Sequence, residues 1–121
     1  MSSSVARGLL NLRRLEIEDC HSMEEVITEE EQQGEGIMTL FPLLEELKLR
    51  RLFSLGHFFL TEHALQIPFL GEVMIYDCPE MKTFVQQGIS VSTPSLRNVN
   101  HEYVEKVDLN KWTQQMFTSQ E

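Results

Sequence analysis

The sequence predicts an α/β repeat fold. It is a short solenoid with four parallel strands on a concave face, an irregular or 3-10 return on the convex side, and a C-terminal helical cap. Three observations predict it: four segments open on leucine with one apolar spacing, a proline stands two residues before three of them, and the apolar period turns helical after residue 108.

Residues 1–11 read as an uncapped lead-in. The first nine are too few and too polar to cover Leu12, Leu15 and Ile17, which leads to the expectation that the chain is the C-terminal part of a longer array. Residues 12–103 hold the repeats, which start at residues 12, 44, 70 and 96. "LRRLEIEDC" from Leu12, "LEELKLRRL" from Leu44 and "LGEVMIYDC" from Leu70 share L-x-x-[LV]-x-[LI]-x-x-[CL]. "LRNVNHEYV" keeps Leu96 and Val99, then degrades, with His101 where an aliphatic residue is due. Successive starts lie 32, 26 and 26 residues apart. The last two spacings fall in the roughly 20–29-residue period of leucine-rich repeats, and the first is the same unit with about six extra residues.

The match runs past each strand. Cys20 is followed by Met23 and Val26, Leu52 by Leu55 and Phe58, and Cys78 by Met81 and Phe84. Upstream stand Pro42, Pro68 and Pro94. Proline has no N–H to give a ladder, so it suits the turn that leads into a strand. In "LEELKLRRL", Leu47 and Leu49 point to one face and Glu46, Lys48 and Arg50 to the other. A strand buried on one face needs neighbours, and stacked repeats merge their leucines into one core. Cys78 occupies the slot that Leu52 fills in the preceding repeat, so it reads as a small apolar plug and not as a reactive thiol. Residues 104–121 form the cap: Asp108 is a good N-cap, and Leu109, Trp112 and Met116 recur on one helical face.

Composition narrows the function. The 121 residues carry a formal charge of −9 and 41% apolar residues. Nucleic acid and anionic membranes both call for a basic face, so neither is an expected partner. No run approaches the ~20 apolar residues that span a bilayer. Two cysteines, no glycosylation sequon and no secretory signal at "MSSSVARGLLNLRR" fit a reducing, cytoplasmic compartment.

The segments "LRRLEIEDCHSMEEVITEEE", "FPLLEELKLRRL" and "IYDCPEMKTF…STPSLRNV" resemble the C-terminal leucine-rich repeats of plant disease-resistance proteins of the coiled-coil, nucleotide-binding (NBS-LRR) class. The resemblance runs from about Leu9 to Phe117 and rests on the two D-C-x-x-M repeat ends, F-P-x-L and S-T-P-S-L. It implies an immune receptor's recognition region, which senses pathogen effectors or the host proteins they modify, or contacts the receptor's own other domains. The chain departs from those receptors in having no G-x-x-x-x-G-K-[ST] phosphate loop, so the nucleotide switch is not in these residues.

The binding face of such a stack is the concave one. Its columns read Arg14, Glu46, Glu72, Asn98; then Glu16, Lys48, Met74, Asn100; then Glu18, Arg50, Tyr76, Glu102. Between the first two strands each column pairs opposite charges, which predicts a self-satisfied ladder of pairs worth roughly 0.2–1 kcal/mol each. Met74 and Tyr76 then replace the charges. The expected contact surface is Lys48, Arg50, Glu72, Met74, Tyr76, Asn98 and Asn100, since Tyr, Met and Arg favour interfaces.

Other candidates are weaker. The acidic run with Glu24, Glu25, Glu29, Glu30, Glu31 and Glu35 contains the extra residues of the long first spacing and reads as a solvated surface loop, with docking of a basic partner as the alternative. It lacks the Asp/Asn spacing of a calcium loop. His21, His57, His63 and His101 show no metal-ligand spacing, and no hydrolase motif or glycine-rich loop occurs. No catalytic, metal or cofactor site is expected. The expected function is protein recognition within a plant immune receptor. The alternatives are a free-standing fragment that binds or masks another receptor or regulatory protein, and an adaptor for a ubiquitin ligase, whose preceding helical box is absent here. Self-association through the uncapped N-terminal edge is a further expectation.

Overall fold

A computed structural model describes residues 2–28, 36–61, 63–86, 88–105 and 107–118. In chain order the elements are α1 (Ser3–Gly8), β1 (Arg14–Glu18), β2 (Glu25–Ile27), β3 (Met38–Thr39), β4 (Glu46–Arg50), β5 (His57–Phe59), β6 (Leu65–Gln66), β7 (Glu72–Tyr76), β8 (Val91–Ser92), β9 (Asn98–Val99), β10 (Glu102–Tyr103) and α2 (Leu109–Thr118). The main sheet has the order β1-β4-β7-β9-β10, and two smaller sheets join β2 to β5 and β3 to β6 and β8.

The leucine spacing produces the main sheet. β1, β4 and β7 pair in parallel and in register, so Leu15, Leu47 and Val73 align, as do Ile17, Leu49 and Ile75. Leu47, Leu49 and Val73 are fully buried, while Leu15 and Ile17 on the outermost strand remain half-buried. Each of these strands leaves through a left-handed residue: Asp19 (φ 58°), Arg51 (φ 54°) and Asp77 (φ 55°). That conformation disfavours most side chains but turns the chain sharply. The corners are tied to the next repeat, with Asp19 N–H donating to Arg50 O at 3.1 Å and Arg51 N–H to Tyr76 O at 3.0 Å.

The convex side departs from the expectation. The described returns contain no 3-10 helix; they carry the two small parallel sheets, with Ile27 beside Phe59 and Met38, Leu65 and Val91 in line. The stacking that aligns the concave strands also aligns equivalent return positions. Val26, Ile27, Phe58 and Phe59 are residue types that favour extended backbone, so those positions pair. Phe58 and Phe84, one repeat apart, stack with centroids 4.5 Å apart.

The fourth repeat also differs. β9 is cut to two residues, and Asn100 (φ 51°) and His101 (φ 67°) turn the chain into β10, which pairs antiparallel with β9. The sheet therefore gains a fifth, reversed strand where the motif degrades at His101.

Residues 1–11, expected as an uncovered lead-in, contain α1. Ser2 Oγ accepts from Val5 N–H at 3.2 Å, Ala6 is fully buried, and Ser2 bridges Thr28 in parallel next to β2. Through Ala6 this helix joins the core beside the first repeat; among the described residues no strand flanks the outer edge of β1.

At the other end Asp108 caps α2 as expected, its Oδ1 accepting from Asn110 N–H at 2.9 Å and Lys111 N–H at 3.2 Å. The buried face is rotated from the expected one. Leu109, Asn110 and Thr113 are buried and Trp112 is half-buried, but Met116 is 38% exposed. Asn110 sets that rotation: its Oδ1 accepts from Phe84 and Val85 N–H at 3.0 and 2.9 Å, and its Nδ2 donates to Gln86 O and Ile89 O at 3.0 and 2.9 Å. No described helix is long and apolar enough to cross a membrane.

Candidate functional site

The outward residues of β1, β4 and β7 form one continuous surface because the strands are in register. The charge ladder is present: Arg14 Nε lies 2.8 Å from Glu46, Lys48 Nζ 3.6 Å from Glu16, and Arg50 3.3 Å from Glu18. Two more pairs flank it, Arg13 with Glu45 at 3.3 Å and Arg51 with Asp19 at 3.4 Å. All five join the first repeat to the second. As partly exposed pairs they contribute about 0–1 kcal/mol each and orient the side chains more than they stabilise the fold.

On β7 the charges give way to Met74 and Tyr76, both half-buried, beside Lys48 and Arg50. His101, from the β9–β10 turn, stacks on Tyr76 with centroids 6.3 Å apart and extends this patch. Glu72 and Asn98 sit side by side in the first column. Asn100 does not face a partner as expected. Its Oδ1 accepts from Ile75 N–H at 2.7 Å and its Nδ2 donates to Ile75 O at 3.2 Å, so the side chain continues the ladder that β9 abandons. Glu102 likewise leaves the Tyr76 column, because β10 reverses and sets it opposite Val99.

Beside the first column, at the N-terminal ends of the strands, an open cleft of about 490 Å³ lies between Glu45 and Arg97, with Leu43, Phe69, Gly71 and Glu72 among its walls. Sequence reasoning missed it. The signal was Gly71, a residue without a side chain in a row otherwise occupied by Arg13, Glu45 and Arg97.

The chemistry-bearing residues elsewhere serve the fold. Cys78 is buried, with Sγ 3.4 Å from Tyr76 O, and burial pushes its thiol up from the ordinary value. Cys20 is half-buried and not disulfide-bonded. His21 stacks on Phe53 at 5.1 Å, and His57 Nδ1 is 3.0 Å from Thr83 Oγ1. Among the described residues no group of His, Cys, Asp and Glu is arranged to hold a metal. Residues 29–35 of the acidic run lie outside the described residues; Glu25 within it belongs to β2.

The family described as plant disease resistance protein RPS2-like, leucine-rich repeats, matches residues 1–104. The chain belongs to this family. The matched residues of these resistance-protein repeats include every strand of the three sheets and stop short of α2. Leucine-rich repeats are protein-interaction modules, and an extended sheet face is the surface that such stacked repeats offer. No match was found among curated proteins or among solved structures.

Proposed function

We propose that this chain is the protein-recognition part of a cytoplasmic NBS-LRR immune receptor, a short solenoid whose four parallel strands present a contact surface to a pathogen effector or a guarded host protein. The nucleotide switch of such a receptor would be carried by residues other than these. The observation that carries the reading is the change along the sheet face. Charges between β1 and β4 are matched within the chain, whereas Met74 and Tyr76 on β7 offer amphipathic area with Lys48 and Arg50 at its border. Glu72 and Asn98 complete the surface; the outer edge of β1, which no described strand flanks, would add a route to self-association.

The test is co-purification from leaf extract with the chain as bait, comparing wild type with Met74→Glu combined with Tyr76→Ala. The double variant is expected to keep the wild-type Tm and lose the specifically retained proteins. Equal retention by a well-folded variant would show that recognition lies elsewhere.

A further inference from the structure

We propose that the cleft over Gly71 is a subsite for one basic side chain, lysine or arginine, presented by a protein partner. Its cation would sit against Glu72, with its aliphatic stem on the ring of Phe69.

Charge pairing on the sheet face points to Glu72. Arg14 takes Glu46, Lys48 takes Glu16 and Arg50 takes Glu18, which leaves Glu72 as the one carboxylate in the three columns of β1, β4 and β7 without an ion-pair partner among the described residues. It also lies directly across the ladder from Glu46, at the register position where like charges repel. A cation entering from outside would relieve that repulsion.

Gly71 points to the space. Its backbone is not in the left-handed region, and a Cβ built there would meet Ser95 O at 3.7 Å, Glu45 O at 3.8 Å and Phe69 O at 4.0 Å, all ordinary contacts. Folding therefore does not demand glycine here, unlike a position with positive φ. What the glycine provides is an open floor to the cleft, whose whole volume of about 490 Å³ is large enough for a long side chain and its flanking backbone. Phe69 stands at the rim with 56% of its surface exposed, a large ring where the equivalent residues are Asn11, Leu43 and Ser95. An exposed aromatic face beside a carboxylate suits a cation on an aliphatic stem.

Two arginines also line the cleft: Arg13 is held by Glu45 at 3.3 Å, and Arg97 forms the far wall. Arg97 is exposed and makes no ion pair among the described residues, so solvent and salt screen it more than the half-buried Glu72. The chain's charge of −9 further favours the approach of a basic partner over an acidic one.

The subsite rests on the proposed recognition reading only for its partner being a protein. Its test uses the full chain and a synthetic probe: an NMR titration of the isotope-labelled protein with a blocked pentapeptide holding arginine between glycines. The same peptide with glutamate in the centre is the control. Saturable shifts are expected at Phe69, Gly71 and Glu72 with the arginine peptide alone. Gly71→Leu, which places a branched side chain on the cleft floor between Phe69 and Glu72, should abolish them, and the near-isosteric Glu72→Gln should weaken binding by roughly fivefold. Arg97→Gln should leave binding unchanged or tighter. Equal shifts with the glutamate peptide, no saturable shift at all, or full binding by Glu72→Gln would overturn the proposal. Should Gly71→Leu disturb the fold, Glu72→Gln decides alone. Because the probe is independent of any natural partner, failure here leaves the Met74–Tyr76 test standing, and failure there leaves this one standing.

Discussion

At Cys78 a single side chain shows how position in the repeat overrides residue chemistry. The slot holds Cys20, Leu52 and Cys78 in turn, so its role is volume. Burial raises the thiol's pKa, a hydrogen bond from the Leu52 backbone acts in the opposite direction, and the Asp77 charge adds to the rise. A raised pKa in the folded state means that the unfolded chain ionises first. The stabilising contribution is therefore complete below the ordinary thiol pKa of about 8.5 and is lost progressively above it. Thiol labelling of the native protein near neutral pH should thus show one accessible group, the half-exposed Cys20, while Cys78 reacts only as fast as the protein opens. Cys78→Ala should cost about 1 kcal/mol and flatten the alkaline loss of stability. Rapid modification of both thiols in the folded state would contradict the plug. The plug was legible in the sequence because three repeats show the same slot. The role of Asn100 was not: an asparagine in the concave column looks like a contact residue until the strand beneath it ends and its amide turns back to Ile75.

Among the elements, β1, β4 and β7 were legible down to their register, since a period-two pattern repeated three times allows one alignment of the leucines. The short strands β2, β3, β5, β6 and β8 were not. They form only because stacked repeats bring equivalent returns together, and three-residue runs such as Glu25–Ile27 carry no period of their own. The helix α2 was legible in existence and N-cap but not in rotation. Its hydrophobic pattern suggests a face through Met116, whereas the contact is set by a polar residue, Asn110, only 2% exposed. Its amide satisfies two N–H groups and two carbonyls of the preceding return, as the backbone of another repeat would. Asn110→Ala leaves the Phe84 and Val85 N–H groups buried and unpaired, each costing about 1–3 kcal/mol. The expected loss is about 2–4 kcal/mol in chemical denaturation, against less than about 0.5 kcal/mol for Met116→Ala at the helix rim. A ranking in the reverse order would mean that the helix docks through its apolar stripe after all.

For the molecule as a whole, the two edges of the main sheet are treated differently. On one side β10 runs antiparallel to β9, with Val104 N–H bonding back to Arg97 O at 2.7 Å, so no further parallel strand can follow in the same register. On the other side β1 has no described neighbour beyond it. Its bonding alternates. Arg13 O and Asp19 N–H point at β4, so Leu15 and Ile17 share that direction, and the backbone groups of Arg14, Glu16 and Glu18 point outward. The bridge from Ser2 beside α1 goes to Thr28, and no described strand pairs with this row. An edge of five residues that no described strand pairs with is a template for strand pairing, and the side chains that could blunt it are held in the ladder to β4. Concentration-dependent self-association is therefore expected in sedimentation of the isolated chain. Glu16→Pro gives a selective test, because it removes an outward N–H and no ladder bond. It should yield a monomer with nearly unchanged Tm, whereas Lys48→Pro, whose N–H points back to β1, should lower the Tm by many degrees. A chain that stays monomeric at high concentration, or a Glu16→Pro variant that still associates, would show that the edge of β1 is not the surface through which copies meet.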